Sequence, residues 1–437
     1  MQHRNRIIWL LTLLVFLALN ACGRDQSETP VATQPSVGPT SAPTRPPTPL
    51  PTPTKMVIGG TISIWHSWDE TSMPALVQII AEFQQQYPDV LFDVLYVPAQ
   101  DLQARFAEET RNGSGPTLLI GPAEWGPPLY DDGLIENLTG LMSAERLAAL
   151  NLPALGEGIY SGATIGLPIS LQGVVLYRNK DIITINASTY DELVTLAETS
   201  TQGEVIGAIL ERSFFYSGGH LEGVGGQLMD SNYLPAFNDE RGLAWIEMLS
   251  RFAEAGPPND FSDEDLERFK EGNVGWIIDG TWNMRNLAAA IGPEKLAIDP
   301  WPGYEDGRMS GYVLAENVYL SQEATTETRQ AAIRFIDYLL SPEAQTHLAE
   351  VERIPAVSGV AITDPITGPL IAQAMAALAG GATYPPVPQT TYYDLNLDIA
   401  LRSIFVDGVE PAQALQTAED AIIADLQLNF PTPTPTP

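Results

Sequence analysis

Thr61-Ile62-Ser63-Ile64-Trp65-His66 leaves Gly59-Gly60 as an apolar, β-branched run and reads as a strand. Ser72 then stands as a helix cap with Pro74 in the first turn. Leu76, Ile80, Phe83 and Tyr87 follow at spacings of 4, 3 and 4, which puts them on one helical face, and Pro88 stops the helix. Leu91–Val97 is the next strand. Strand, helix and strand in that order predict a parallel βαβ unit. Asp101–Arg111 continues as a helix and Thr117-Leu118-Leu119-Ile120 as a short buried strand. Further along, Thr189-Tyr190-Asp191-Glu192 is a capping box, and Ser341-Pro342-Glu343 opens another helix. The alternation predicts an α/β chain of open, doubly wound sheets, with a ligand crevice at the carboxyl ends of the strands.

The ends of the chain are of another kind. His3, Arg4 and Arg6 precede an apolar run of 13 residues, Ile7 to Leu19, shorter than the roughly 20 that span a bilayer. Leu19-Asn20-Ala21-Cys22 closes this segment and resembles the lipobox of bacterial lipoproteins, with Asn in an unusual third place. That resemblance implies a signal peptide over 1–22 and acylation of Cys22, the one cysteine of the chain, which leaves no disulfide. Residues 23–56 are dominated by Pro, Thr and Ser. They read as a polyproline-like stalk of roughly 100 Å at full extension, holding a domain off a membrane surface. Pro431–Pro437 repeats the Pro-Thr pattern as a tail.

Residues 57–430 are long enough for two domains. After residue 56 the chain carries 17 basic and 52 acidic side chains. Such a field repels polyanions, so no nucleic-acid partner is expected. Catalytic signatures are missing from the sequence. The four histidines form neither HxH nor HExxH, and there is no GxSxG elbow and no phosphate-binding GxxxxGK[ST] loop. The acidic stretch at 259–265 lacks the EF-hand pattern. The expectation is a binding protein without enzyme activity, metal or cofactor.

Aromatic residues cluster beside loop-forming ones: Trp65-His66-Ser67-Trp68-Asp69, Glu124-Trp125-Gly126-Pro127, Phe214-Phe215-Tyr216-Ser217-Gly218-Gly219-His220, and Asp279-Gly280-Thr281-Trp282. Flat rings with nearby carboxylates suit a neutral polyol, the rings covering apolar sugar faces while the acids accept hydroxyl hydrogen bonds.

Four ordered segments then carry a family resemblance. They are Ile62–Trp68; Gly115–Ile120 with Gly133–Leu138; Ile165-Gly166-Leu167-Pro168 with Leu176–Asp181 and Thr189–Leu193; and Phe269–Trp276, Gly280-Thr281-Trp282 and Ile336–Gln345. Together they resemble the extracellular solute-binding proteins of the maltose-binding type, which feed ATP-driven sugar importers. The resemblance implies the type II periplasmic-binding-protein-like fold: two α/β lobes joined by crossing segments, with the ligand clamped between them. Lobe I would be 57–170 with 315–357, and lobe II 172–312 with 359–430. The crossings would fall near 169–172, 311–315 and 355–360.

Carried over residue by residue, Trp282 matches the family's stacking tryptophan and Asp69 a polar contact, with Trp68 and His66 beside it. Glu124 and Trp125 occupy a hydroxyl-binding segment. Phe215, Tyr216 and His220 fall in the lobe II loop, Gln172 near the hinge, Asp279 before the Trp282 turn, and Tyr392 or Tyr393 where maltose-specific members place an aromatic. The implied partners are a small carbohydrate, the permease subunits of an ABC importer, and a membrane through lipid on Cys22. A monomer exported to the outer face of the cell membrane is expected. A polyamine or ferric-iron receptor and an exported glycan-active enzyme stay open as alternatives.

Overall fold

A computed structural model of the chain describes residues 58–259 and 261–430. The signal segment, Cys22, the stalk and the Pro-Thr tail lie outside the described residues. Among those described, no helix is long and apolar enough to cross a membrane.

The opening βαβ unit forms as its sequence predicts. Strand β1 (Gly60–His66) leads through the helix Met73–Gln86 to β2 (Val90–Tyr96), which pairs with β1 in parallel along its whole length. After the helix Ala99–Arg111, β3 (Leu118–Pro122) lies parallel on the other side of β1. Leu76, Ile79 and Phe83 turn to the sheet, where Phe83 meets Phe92 and Phe335 edge-on at 5.9 and 5.1 Å. The helix start departs from expectation. Ser72 makes no side-chain cap; the Asp69 carboxylate accepts the Ser72 N–H (2.9 Å) and the Thr71 hydroxyl (2.9 Å) instead. The helices at 190 and 342 are capped as read, by the Thr189 hydroxyl accepting from Glu192 N–H and the Ser341 hydroxyl accepting from Ala344 N–H.

The rest of the sheet turns on one long strand, β4 (Leu167–Asn179). It carries only one exposed side chain, Gln172, in 13 residues; a strand buried on both faces has to be nearly continuous in apolar residues, and this one is. Beyond it come β5 (Ile206–Ile209), β6 (Val274–Gly280), β7 (Leu296–Asp299), β8 (Tyr312–Leu320), the short β9 (Ile354–Pro355) and β10 (Ala382–Thr383). The first half of β4 pairs antiparallel with β8, from Leu167↔Val318 to Gly173↔Val313, and with β9 at Leu171↔Ile354. Its second half pairs antiparallel with β6 and β7 from Val174 to Asn179. Strand β8 in turn pairs with β3 through Glu316–Leu320. The strand sets β2-β1-β3-β8 and β7-β4-β6-β5 are thus joined through β4, whose first half pairs with β8 and whose second half pairs with β6 and β7. Of the segments expected to cross between lobes, 169–172 lies in β4, 312–315 in β8 and 355 in β9, while 356–360 follows β9 as loop; β4 is paired between β8 and β9.

The second sheet is covered by the helices Tyr190–Ser200, Glu240–Ala255, Thr390–Phe405 and Pro411–Asn429, around Trp245, Trp276, Tyr190, Phe252 and Tyr312. Within it the buried Arg178 pairs with Asp299 at 2.7 Å, and the Trp276 indole N–H also donates to Asp299 (2.9 Å).

Burial shifts several acids. It pushes Asp265 up to about 7 and Asp394 up to about 6, so each favours the fold fully below its unfolded pKa and loses that contribution as pH rises through the folded value. His220, wholly buried, is pushed down to about 3; its contribution is complete above the unfolded value near 6.5 and is lost as pH falls. From about pH 5 to about 6.5 the two acids together lose more than His220 regains, so the melting temperature is expected to fall as pH rises over that range. A thermal melt series from pH 4 to 8 measures this, and a Tm that climbs steadily to pH 8 would contradict it.

Candidate functional site: a cleft at the shared strands

The carboxyl ends of β3 and β6 open onto a cavity of about 630 Å³ whose floor is the shared strands. Ser170, Leu171 and Gln172 of β4 and Leu314, Ala315 and Glu316 of β8 form that floor. Asp69, Thr71 and Ser72 come in from the β1 loop, Glu124 from the turn after β3, Trp282 from the turn after β6, and Tyr384 from the loop after β10.

Trp282 is the most exposed large ring of this cavity, at 38% of its surface. Gly280 makes its position possible, since a Cβ there would stand 2.0 Å from the indole. Asp279 holds the turn: its buried carboxylate accepts the Gly280 N–H at 2.5 Å and the Asn283 amide at 3.1 Å. Half-buried Phe215 and Tyr216 back the indole at 5.9 and 6.5 Å, and Phe215 meets Tyr384 edge-on at 5.6 Å. The result is an aromatic wall, fixed at its far end by the Tyr384 hydroxyl donating to Asp394 (2.6 Å).

The opposite wall is acidic. Burial would raise the Asp69 carboxyl, but the bonds from Thr71 and Ser72 outweigh it and hold Asp69 below its usual value; both bonds fall on Oδ1. Burial raises Glu124. The cations of the cavity are occupied. Arg353 pairs with Glu316, stacks 4.3 Å over the Trp68 ring and bonds Ser170, while Arg285 pairs with Glu352 at 2.6 Å. The cavity is therefore a set of acceptors facing rings, which suits hydroxyl donors with flat apolar faces.

Of the residues expected at a ligand, Trp282, Asp69, Glu124 and Gln172 come together in this cavity. Phe215, Tyr216 and Asp279 support Trp282. Others are drawn elsewhere. Trp68 is buried, its indole N–H donating to both Glu316 oxygens at 2.9 Å, so it holds the floor from behind. His66, at the end of β1, is fully buried and its Nδ1 accepts the Trp68 N–H (3.0 Å). Trp125 folds back over Gly121, where a Cβ would meet its ring at 2.4 Å, and packs into the first lobe's core. His220 is buried between Phe252 and Trp301, its Nδ1 accepting the Ser310 N–H (2.9 Å). Tyr393 lies on the inner face of its helix and donates to the Tyr233 carbonyl (2.8 Å); Tyr392 packs against Phe430. Missed in the sequence were Tyr384, Glu157, Glu316 and Arg353. Tyr384 precedes Pro385-Pro386 and fits the same aromatic-beside-loop rule that singled out Trp282, and Glu316 interrupts an apolar strand.

Two substitutions test this construction. Gly280→Ala is expected to push the indole off the end of β6 and to raise Trp282 accessibility to acrylamide quenching. Arg353→Met leaves the largely buried Glu316 without its cation, held only by Trp68 and Ser170, and is expected to cost about 2–4 kcal/mol in urea unfolding; a cost under about 0.5 kcal/mol would show that the pair is not holding the floor.

The model of the bacterial extracellular solute-binding protein family matches residues 78–374. The galactooligosaccharide-binding protein of Bacillus subtilis (strain 168) is 22% identical over 443 residues, covering 95% of this chain and 96% of its own. The maltotriose-binding protein of Pyrococcus abyssi is 24% identical over 322 residues, 70% of this chain and 68% of its own. Among solved structures, the extracellular solute-binding protein of Staphylococcus aureus in complex with maltose superposes with TM-score 0.74 at 19% identity, covering 85% of this chain and 99% of that one. A cyclo/maltodextrin-binding protein complexed with maltotetraose gives TM-score 0.74 at 20% identity, over 84% and 98%. These relatives and neighbours are binding proteins, not enzymes, and the fold is their two-lobed, type II binding-protein fold. The chain belongs to the bacterial extracellular solute-binding protein family.

Proposed function

We propose that this protein captures a sugar or oligosaccharide between its two lobes and delivers it to the permease of an ABC importer, tethered outside the cell membrane by lipid on Cys22. The observation that carries the ligand class is Trp282, set half-exposed by Gly280 across a cavity from Glu124, Asp69 and Gln172. One pyranose face lies on the indole, Glu124 and Asp69 accept hydroxyl protons, and the Gln172 amide both donates and accepts. A cavity of about 630 Å³ is the size of a small-molecule site. The names of the relatives, for galactooligosaccharide and maltotriose, support the same class.

Lobe I comprises 57–170 with 315–357 and lobe II 172–312 with 359–430, hinged where β4, β8 and β9 cross. Closure over the sugar removes water from the acidic wall and strengthens each hydroxyl bond. Tethering follows from the Leu19–Cys22 segment, and a related maltooligosaccharide-binding protein of Streptococcus pneumoniae (strain ATCC BAA-255 / R6) is named as a lipoprotein.

A thermal-shift panel of maltose, maltotriose, maltotetraose, galactooligosaccharides, an acidic uronate oligosaccharide, spermidine and Fe(III) tests the reading. A neutral oligosaccharide at a thousand times its Kd is expected to add about 4 kcal/mol of stability. Trp282→Ala should weaken binding at least about tenfold, the loss of one stacked ring. The uronate should not bind, because no unpaired cation faces it. A shift with spermidine or iron alone would overturn the ligand class.

A further inference from the structure

Glu157 follows the short helix Leu152–Gly156 and lines the cavity near Glu124. It is 3% exposed, and its two oxygens have different surroundings. Oε2 accepts the Ala315 N–H of β8 at 2.9 Å, while Oε1 is buried with no partner. Glu157 enters none of the ion pairs among the described residues. The titratable groups facing it are Glu124 after β3, Tyr319 on β8 and Tyr384 after β10, with Asp394 behind Tyr384. None of these supplies positive charge, and the arginines of the cavity are spent on Glu316 and Glu352.

The geometry points to the Oε1 hydroxyl of Glu157 as a hydrogen-bond donor kept for an acceptor-only oxygen, ring or glycosidic, of the bound sugar. A buried carboxylate beside Glu124 would carry an uncompensated charge, whereas the neutral acid places its carbonyl oxygen on the Ala315 N–H and leaves one O–H to give. Burial, with Glu124 adding to it, pushes the Glu157 carboxyl well up, in the same direction. Asp69 and Glu124 can only accept. A sugar hydroxyl can satisfy them, but a ring or glycosidic oxygen has no proton to offer, and a neutral acid on the floor supplies the complementary donor. Glu157 would thus read the position of an ether oxygen next to the hydroxyl read by Glu124.

This inference rests on the sugar-receptor reading, and its test separates the two. Infrared difference spectra of the full chain, wild type minus Glu157→Gln, at pH 7 and without sugar, are expected to show a protonated carboxyl band that shifts on adding maltotriose or whichever oligosaccharide the panel selects. Glu157→Gln, whose amide N–H₂ can donate from the same place, should bind that sugar within about threefold of wild type. Glu157→Ala should lose about tenfold or more, the range expected when a buried polar partner is left unmatched. Thermal melts of each variant show whether it is folded. No protonated band in the sugar-free protein, or equal losses in the Gln and Ala variants, would overturn the assignment and leave the receptor reading intact. A wild type that binds no sugar of the panel overturns both, and the sugar-free band then tells whether Glu157 itself was assigned correctly.

Discussion

Strand Leu167–Asn179 is hydrogen-bonded into two sheets at once, and the rest of the molecule is arranged around that constraint. At residues 170 and 171 it is flanked on both sides, by Glu316 and Ala315 of β8 and by Pro355 and Ile354 of β9. At Val174 and Val175 its partners are Gly280 and Asp279, and from Leu176 it is flanked on the other side by Asp299. Backbone pairing of this kind leaves the two halves few ways to move independently except by twisting where the strands cross. The same crossing makes the floor of the cavity, so whatever binds there touches both halves and the joint between them. Gln172, the one exposed side chain of the strand, stands at that point.

Charge in the cavity is distributed unevenly for a physical reason. Arg353 would be a free cation facing ligand, but Glu316, Ser170 and the Trp68 ring hold it against the floor. Once that pair and the Arg285–Glu352 pair are formed, the unpaired charged groups left along the space are carboxyls, beside the Trp282 ring and the Gln172 amide. A chain with 17 bases against 52 acids after its stalk could carry acid anywhere at little cost in solubility; here some of it is placed where hydroxyl donors would be needed. The rings are set by a shared device. Gly121 lets Trp125 fold inward over β3, and Gly280 lets Trp282 lie over the end of β6, but only the second indole is left open to the cavity.

Much of this was legible in the sequence. The 4-3-4 apolar spacing after Ser72 and the β-branched runs on either side of it specified the βαβ unit, because local periodicity and the first sheet agree there. Trp282 was legible because it stands just past the strand Val274–Gly280, at the place that resembles the family's stacking tryptophan. His66, His220, Trp125 and Tyr393 misled for a common reason: polar or aromatic residues beside loop-forming ones can turn inward as easily as outward, and local sequence does not say which partner awaits them. For His220 the partner is a backbone N–H 90 residues away, at Ser310. Glu157, Glu316 and Arg353 were silent because their roles depend on contacts between distant segments, such as the 158-residue separation of Glu157 from Ala315.

The account stands on closure of two lobes over a sugar held at the shared strands. The most direct test is the distance between spin labels placed at exposed Asp101 and Ala289, which the proposed lobe bounds put in different lobes, with Cys22→Ser so that only these two sites are labelled. The account predicts a shorter mean distance on saturation with an oligosaccharide, and no change with a sugar that does not bind. An unchanged distance while calorimetry shows the site saturated would contradict it.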